Sequence, residues 1–122
     1  GVAGDLSVLF EEKEHDYFIR NGDDVIIEAH IAFSQAALGT TLEVPTLDGK
    51  AKLKIPPGIQ AGQILRMRNK GFPRVRRSSR GDQLVKIQVE TPKKLSKNMR
   101  KLFQDLAVTD GVPKDMFKKI KI

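Results

Sequence analysis

Alternating apolar and polar residues between positions 24 and 33 constrain the fold more than any other feature of the sequence. Apolar residues take every second position, namely Val25, Ile27, Ala29, Ile31 and Phe33, and the other face carries Ile26, Glu28 and His30. Successive side chains of a β-strand point to opposite faces of the sheet, so this period of two places all of them on one face. The stretch therefore predicts a strand that is buried on one face only.

A β-hairpin is predicted further along the chain, about the turn at Asp48-Gly49. Its predicted inward-facing residues are Leu42, Val44, Ala51, Leu53 and Ile55. On the second arm these alternate with a row of lysines that faces water, namely Lys50, Lys52 and Lys54. A row of charges on an exposed strand discourages edge-to-edge pairing with other chains.

Shorter alternating runs near residues 6–10, 64–67 and 84–89 predict further strands, and Asn21-Gly22 predicts a tight turn. Before the hairpin, Ser34 is predicted to N-cap one or two helical turns that end at Gly39. The predicted fold class is therefore mainly β. It is a small antiparallel β-sandwich with one short helix inside and an amphipathic C-terminal helix.

The C-terminal part of the chain changes from a period of two to helical spacing. Its first apolar stripe consists of Leu95, Met99, Leu102, Phe103 and Leu106, and Ser96 is the predicted N-cap of the helix. After a break at Asp110-Gly111, a second apolar set recurs at helical spacing, namely Val112, Met116, Phe117 and Ile120. A small sandwich has little surface to cover two stripes, so one of them is expected to pack on a partner. The alternative is that the first stripe docks on the parent sheet.

Charge is distributed unevenly along the 122 residues. Residues 1–49 carry ten acidic and two basic side chains, net −8, whereas residues 50–122 carry twenty basic and five acidic side chains, net +15. The densest basic stretch lies between Arg66 and Arg80, and it makes a nucleic-acid-binding module one candidate. The alternative is a solvated loop, because only Phe72 supplies the aromatic interleaving typical of single-strand binders. No apolar run is long enough to cross a membrane, and no membrane partner is predicted.

Residues that could carry chemistry are few and scattered. His15 and His30 lack the spacing of a metal site, and the sequence contains no cysteine. The adjacent carboxylates Asp23 and Asp24 point opposite ways on a strand, so they are not expected to share an acid/base role. We therefore predict no catalytic residue, no metal site and no enzyme activity.

The segments "RNGDDV", "FSQAALGTTLEVPTLDGKAKLKIPPGIQAGQILRMRNKGFP" and "RGDQLVKIQVETPKKLS" resemble, in order, the C-terminal region of the DnaJ family of J-domain co-chaperones. The likeness runs from about Gly4 to Ala107. It implies the end of a first C-terminal sandwich with its junction strand at 1–18, and a second C-terminal β-sandwich at 19–92. A helical dimerisation segment and tail are implied at 93–122, within which residues 108–122 fit no pattern that we recognise.

The resemblance implies a co-chaperone fragment that binds unfolded client polypeptides, forms a homodimer and presents clients to a DnaK-type chaperone through the full-length protein. The implied client-binding residues are Ile27, Ala29 and Val44, and the implied dimerisation residues are the stripe from Leu95 to Leu106. The family's His-Pro-Asp tripeptide and zinc-binding cysteines are absent from this sequence, so no ATPase stimulation, zinc or other cofactor is expected of it. The expected compartment is the cytoplasm, with the mitochondrial matrix as alternative. A purely structural dimerisation platform is the alternative function.

Overall fold

The computed structural model describes residues 17–75 and 78–121, and these consist mainly of strands. In chain order the elements are β1 (Ile19–Asn21), β2 (Asp24–Ala32), α1 (Phe33–Leu38), β3 (Thr40–Thr46), β4 (Gly49–Ile55), β5 (Ile64–Met67), β6 (Gln83–Glu90) and α2 (Lys97–Asp110). The predicted mainly β class, with one short helix and one C-terminal helix, is confirmed. The strand predicted near residues 6–10 and most of the junction segment 1–18 lie outside the described residues.

The larger sheet has four strands in the order β1-β2-β6-β5. β1 with β2 and β5 with β6 are antiparallel, but β2 and β6 are parallel, in register from Val25 opposite Gln83 to Ala32 opposite Glu90. The sheet is therefore mixed, which differs from the antiparallel arrangement that was predicted. The cause is the long connection between β2 and β6, which returns the chain to the starting end of β2 before β6 begins.

The smaller sheet is the predicted hairpin of β3 and β4, with Val44 opposite Ala51 and Glu43 opposite Lys52. Thr46 stabilises the turn, because its Oγ1 donates to the carbonyl of Gly49 at 3.1 Å and accepts from the backbone N–H of Asp48 at 3.3 Å. Ile55 is buried, and the three lysines of β4 are exposed. The alternation that predicted this hairpin is confirmed.

One apolar core joins the two sheets. Its buried members are Phe18, Val25, Ile27, Ile31, Ala36, Val44, Ile55, Ile59, Met67, Phe72, Val85 and Ile87. Gln83 is a polar residue inside this core with no exposed surface, and its Nε2 donates to the carbonyl of Pro45 at 2.9 Å. This hydrogen bond ties β6 to β3 and so fixes one sheet against the other.

Helix α1 begins one residue before the predicted cap. Its N-cap is Ala32, not Ser34, and the backbone N–H of Ala32 donates to Oε1 of Gln35 at 2.9 Å. The Ser34 prediction was wrong because β2 runs directly into the helix, which places Ser34 in the first turn. Gly39 ends α1 as predicted, at a φ of 82° that glycine adopts without steric cost.

The chain divides into two compact units, Gly1–Thr91 and Pro92–Ile122. In the second unit, the Ser96 side chain accepts from the backbone N–H of Met99, as predicted for an N-cap. Residues 111–121 form no helix, although their apolar residues recur at helical spacing. A helix of about ten residues is marginal in water without a surface to pack on, which accounts for the difference. No helix in the described residues is long and apolar enough to cross a membrane.

Candidate functional site

Strand β3 has one edge that no strand among the described residues covers. Pro45 shows which backbone groups face that edge, because proline has no N–H to donate to β4 and its carbonyl accepts from Gln83 instead. In an antiparallel pair, residues alternate between bonding the partner strand and pointing away from it. Glu43 and Thr41, two and four residues earlier, therefore direct their N–H and C=O groups to the same side as Pro45.

We call Thr41, Glu43 and Pro45 the β3 edge. Within residues 17–75 and 78–121, no hydrogen bond from outside the hairpin reaches the backbone of Thr41 or Glu43. At one end the edge is closed by Pro45, and at the other the chain turns at Gly39 into α1. The β3 edge therefore offers two N–H donors and two C=O acceptors to one short extended segment.

The three predicted client-binding residues lie in or against the core. Ile27 is 5% exposed and Val44 is 3% exposed, whereas Ala29 is partly buried and packs against the same cluster. Leu42 of β3 is also partly buried against it. The structure therefore gives Ile27 and Val44 a packing role, and their contact with a client stays a prediction.

The side chains on the solvent face of this hairpin carry both signs of charge. Glu43 is exposed and lies directly opposite Lys52, with Lys50 and Lys54 on either side of that lysine. No ion pair joins Glu43 to any residue that the structure describes. Its carboxylate is therefore left to solvent or to whatever lies beside β3.

Three arginines of the basic stretch are paired within the fold. Arg66 contacts Asp82 at 2.5 Å, Arg80 pairs with Asp48, and Arg74 lies 4.0 Å from Asp23. The backbone N–H of Asn69, followed by the Arg66 guanidinium, holds the pKa of the Asp82 carboxyl below its usual value. These three arginines therefore already have carboxylate partners within the fold, and Arg76 and Arg77 of the same basic stretch lie outside the described residues.

His30 lies on the exposed face of the larger sheet between two carboxylates. Its Nε2 is 2.8 Å from Glu28 Oε2, and its Nδ1 is 3.1 Å from Glu90 Oε1. The hydrogen bond with Glu28, then that with Glu90, raises the pKa of His30, and the bond with His30 lowers the pKa of Glu28. The two carboxylates flank opposite nitrogens and do not converge, and the described residues contain no cluster of ligands that could hold a metal ion.

We expect stability to depend on pH through His30. Its raised folded pKa means that its contribution is complete below the unfolded value of 6.5 and is lost as pH rises through the folded value. Glu28 has a lowered folded pKa, so its contribution is present above 4.5 and is lost as pH falls through the folded value. The urea midpoint of the wild type should exceed that of His30→Gln at about pH 5.5, and this difference should shrink by about pH 8.5. A difference in urea midpoint that is the same at both pH values would contradict this contribution of His30.

The predicted dimerisation stripe lies mainly on α2. Leu102 is 58% exposed, Met99 39% and Leu106 37%, while Phe103 and the preceding Leu95 are partly exposed. Ring or aliphatic surface of this extent on one helix face is typical of an interface. The dimerisation role of these residues is not tested by the structure of one chain and stays a prediction.

The family model described as the DnaJ C terminal domain matches residues 1–92, which is most of the chain. The chain belongs to the DnaJ C-terminal domain family. Among curated proteins, this DnaJ C-terminal domain is 48% identical to "Chaperone protein DnaJ" of Roseiflexus sp. (strain RS-1) over 88% of the chain. It is 44% identical to the protein of that name from Salinibacter ruber and 48% identical to that from Halalkalibacterium halodurans, each over 91% of the chain. It spans 29% to 30% of the length of these relatives.

The β3 edge was not predicted from the sequence, although one residue signals it. Proline is confined to edge strands, strand starts and bulges, because it cannot donate to a ladder. Pro45 within the alternating run of β3 was therefore a local sign that this strand has an uncovered side. The partner of its carbonyl, Gln83, lies 38 residues away and could not be inferred from local pattern.

Proposed function

We propose that this DnaJ C-terminal domain holds unfolded client polypeptide at the β3 edge, and that it dimerises through the α2 stripe. Through the remainder of the full-length protein, it would present the client to a DnaK-type chaperone. The single observation that carries the proposal is the pair of outward-facing backbone residues, Thr41 and Glu43, beside the partly buried Leu42. The family membership supports a chaperone role in protein folding.

The mechanism is addition of a strand. An unfolded client exposes backbone N–H and C=O groups, and an extended segment can satisfy them by pairing with Thr41 and Glu43. Backbone hydrogen bonds do not depend on side-chain identity, which suits a chaperone that holds many clients. Client side chains on the inner side would lie next to Leu42 and add apolar contact.

Such a short site is weak when it acts alone. A net gain of about 1 kcal/mol for each hydrogen bond gives a dissociation constant on the order of millimolar to micromolar once apolar contact is added. Two sites in a dimer hold one client at two points, and the second contact then forms at high effective concentration. Dimerisation through α2 would therefore raise the affinity without any new kind of contact.

Thr41→Pro tests the β3 edge, because it removes one outward-facing N–H. The ring also obstructs the approach of a client strand, whereas the ladder with β4 does not use that N–H. We expect binding of an unfolded reporter chain to weaken by about tenfold, equivalent to about 1.4 kcal/mol. Fluorescence anisotropy of the labelled reporter measures the change.

The matched control is Lys54→Pro, since Lys54 lies directly opposite Thr41 and its N–H faces outward from β4. Both variants lose one outward donor on an edge of the same hairpin, so they should lose similar stability. Lys54→Pro should bind the reporter as the wild type does. Equal weakening by both variants would contradict a site on β3.

A structural dimerisation platform is the second candidate, and the burial of Ile27 and Val44 in the core favours it. It predicts that the isolated chain binds no unfolded reporter even at several hundred micromolar.

The proposed division of the chain is a junction at 1–18, the client-binding sandwich at 19–92, and the dimerisation segment with its tail at 93–122. We propose the cytoplasm as the compartment of this activity, and the bacterial origin of the relatives supports it.

A further inference from the structure

The β3 edge carries one charged side chain, and it is positioned to act on whatever pairs there. Glu43 is exposed on the solvent face of β3, and no described residue forms an ion pair with it. The backbone N–H and C=O of Glu43 face outward, as those of Thr41 do. A client residue bonded to them would therefore lie directly opposite the Glu43 side chain, on the same face.

We propose that Glu43 makes the β3 edge selective for extended segments with a lysine or arginine flanked by apolar residues. This inference rests on the proposed function, since it needs a client strand at that edge. In such a segment the basic side chain faces outward opposite Glu43, and its two neighbours face inward beside Leu42 and Val44. Period-two alternation in the client is therefore as much a requirement as its charge.

The lysine row of β4 opposes this preference, and distance decides between the two. Neighbouring strands are about 4.8 Å apart, so the outward client side chain is one spacing from Glu43 and two spacings from Lys52. The Debye length at physiological salt is about 8 Å, so Lys52 acts across more than that length and Glu43 across less. Lys50 and Lys54 lie diagonally and are further away. The local field of Glu43 therefore dominates, and a cation is favoured over an acid.

The number of β3 residues that can pair with a client limits where the client's charge can lie. Pro45 offers no donor and its carbonyl is taken by Gln83, and at the other end the chain leaves the sheet at Gly39. Only Thr41 and Glu43 can pair with a client, and of these only Glu43 is charged. A client with a single central cation therefore has one favourable register.

Three labelled peptides of the sequence Ser-Thr-Leu-Xaa-Val-Thr-Ser, with Lys, Gln or Glu at the central position, test the inference on the whole chain at physiological salt. We expect affinity to fall in the order Lys, Gln, Glu, with about fivefold between the first and the last. Glu43→Gln should abolish the difference, Glu43→Lys should reverse it, and Lys52→Gln should widen it. Glu28→Gln, which removes an exposed carboxylate from the other sheet, should leave it unchanged.

Each outcome separates the inference from the function beneath it. Equal binding of the three peptides by the wild type overturns the selectivity and leaves the proposed function standing. A preference for Lys that survives in Glu43→Gln also overturns it, because another group would then be the cause. No binding of any peptide overturns the proposed function, and the selectivity with it.

Discussion

Gly81→Ala should unfold the sheet body or lower its free energy of unfolding by about 3 kcal/mol or more. A Cβ at this position would overlap the carbonyl oxygen of Asp23 and lie 2.5 Å from its carbonyl carbon. Both are backbone atoms, so no rotation of a side chain can relieve the overlap. Gly71 lies beside the same atoms, and a Cβ there would be 2.5 Å from the Asp23 oxygen and 2.6 Å from the carbonyl carbon of Gly81. We call this close approach of the backbone at Asp23, Gly71 and Gly81 the crossing.

Hydrogen bonds hold this crossing together and leave it little room to move. The backbone N–H of Gly71 donates to the carbonyl of Gly81 at 2.8 Å, and the N–H of Gly81 donates to the carbonyl of Phe72 at 2.9 Å. The N–H of Phe72 donates to the backbone carbonyl of Asp23 at 2.8 Å. Separating the segments to admit a methyl group would break several of these bonds. The crossing brings together the two ends of the arginine-rich segment between β5 and β6, and it lies directly before β6. Its disruption would therefore also weaken the parallel pairing of β2 with β6.

Gly58→Ala is the matched control for this prediction. Gly58 has a φ of 81° and nothing within 4 Å of a Cβ, so alanine there carries backbone strain without overlap. It should cost only about 1 kcal/mol. Urea unfolding of both variants measures the difference, and failure of Gly81→Ala to yield folded protein counts as agreement if Gly58→Ala folds. A Gly81→Ala variant as stable as Gly58→Ala would show that the crossing can adapt.

Local features of this fold followed from the sequence because their causes lie within a few residues of one another. The period of two predicted β2, the Asp48-Gly49 turn predicted the hairpin, and Ser96 predicted the start of α2. Each rests on side-chain alternation, on a turn geometry or on a cap, and all of these are local. The features that were missed depend on contacts across the fold, such as the parallel register of β2 with β6 and the bond from Gln83 to Pro45.

The candidate site divides in the same way. Alternation placed Ile27, Ala29 and Val44 on inward faces, which the structure agrees with, but inward position alone does not distinguish a groove from a core. The β3 edge needed knowledge of which strands pair, because an uncovered edge is a property of the whole sheet. The alternation places the Glu43 side chain on the solvent face, but it does not show that the backbone groups of Glu43 face an uncovered edge.

Aspartate at both Leu102 and Phe103 is expected to convert a dimer of this chain to monomer. Residues at the centre of an interface commonly contribute about 2 kcal/mol or more each, so the dissociation constant should rise by at least about thirtyfold even if only one of them is central. The new carboxylates would also be buried without partners, which adds to the cost. Sedimentation or light scattering over a range of concentrations measures the mass.

Gln104→Asp serves as the control, since it adds one carboxylate to α2 on the face away from the apolar stripe, and it should leave the mass unchanged. Charge supplies a second check. Residues 92–122 carry nine basic and three acidic side chains, net +6, so two copies that meet through α2 repel one another. Salt screens that repulsion while apolar contact persists, so the wild-type dimer should tighten as ionic strength rises. An unchanged mass in the double aspartate variant would remove α2 from the interface, whereas a dimer that salt weakens would mean that ion pairs hold it.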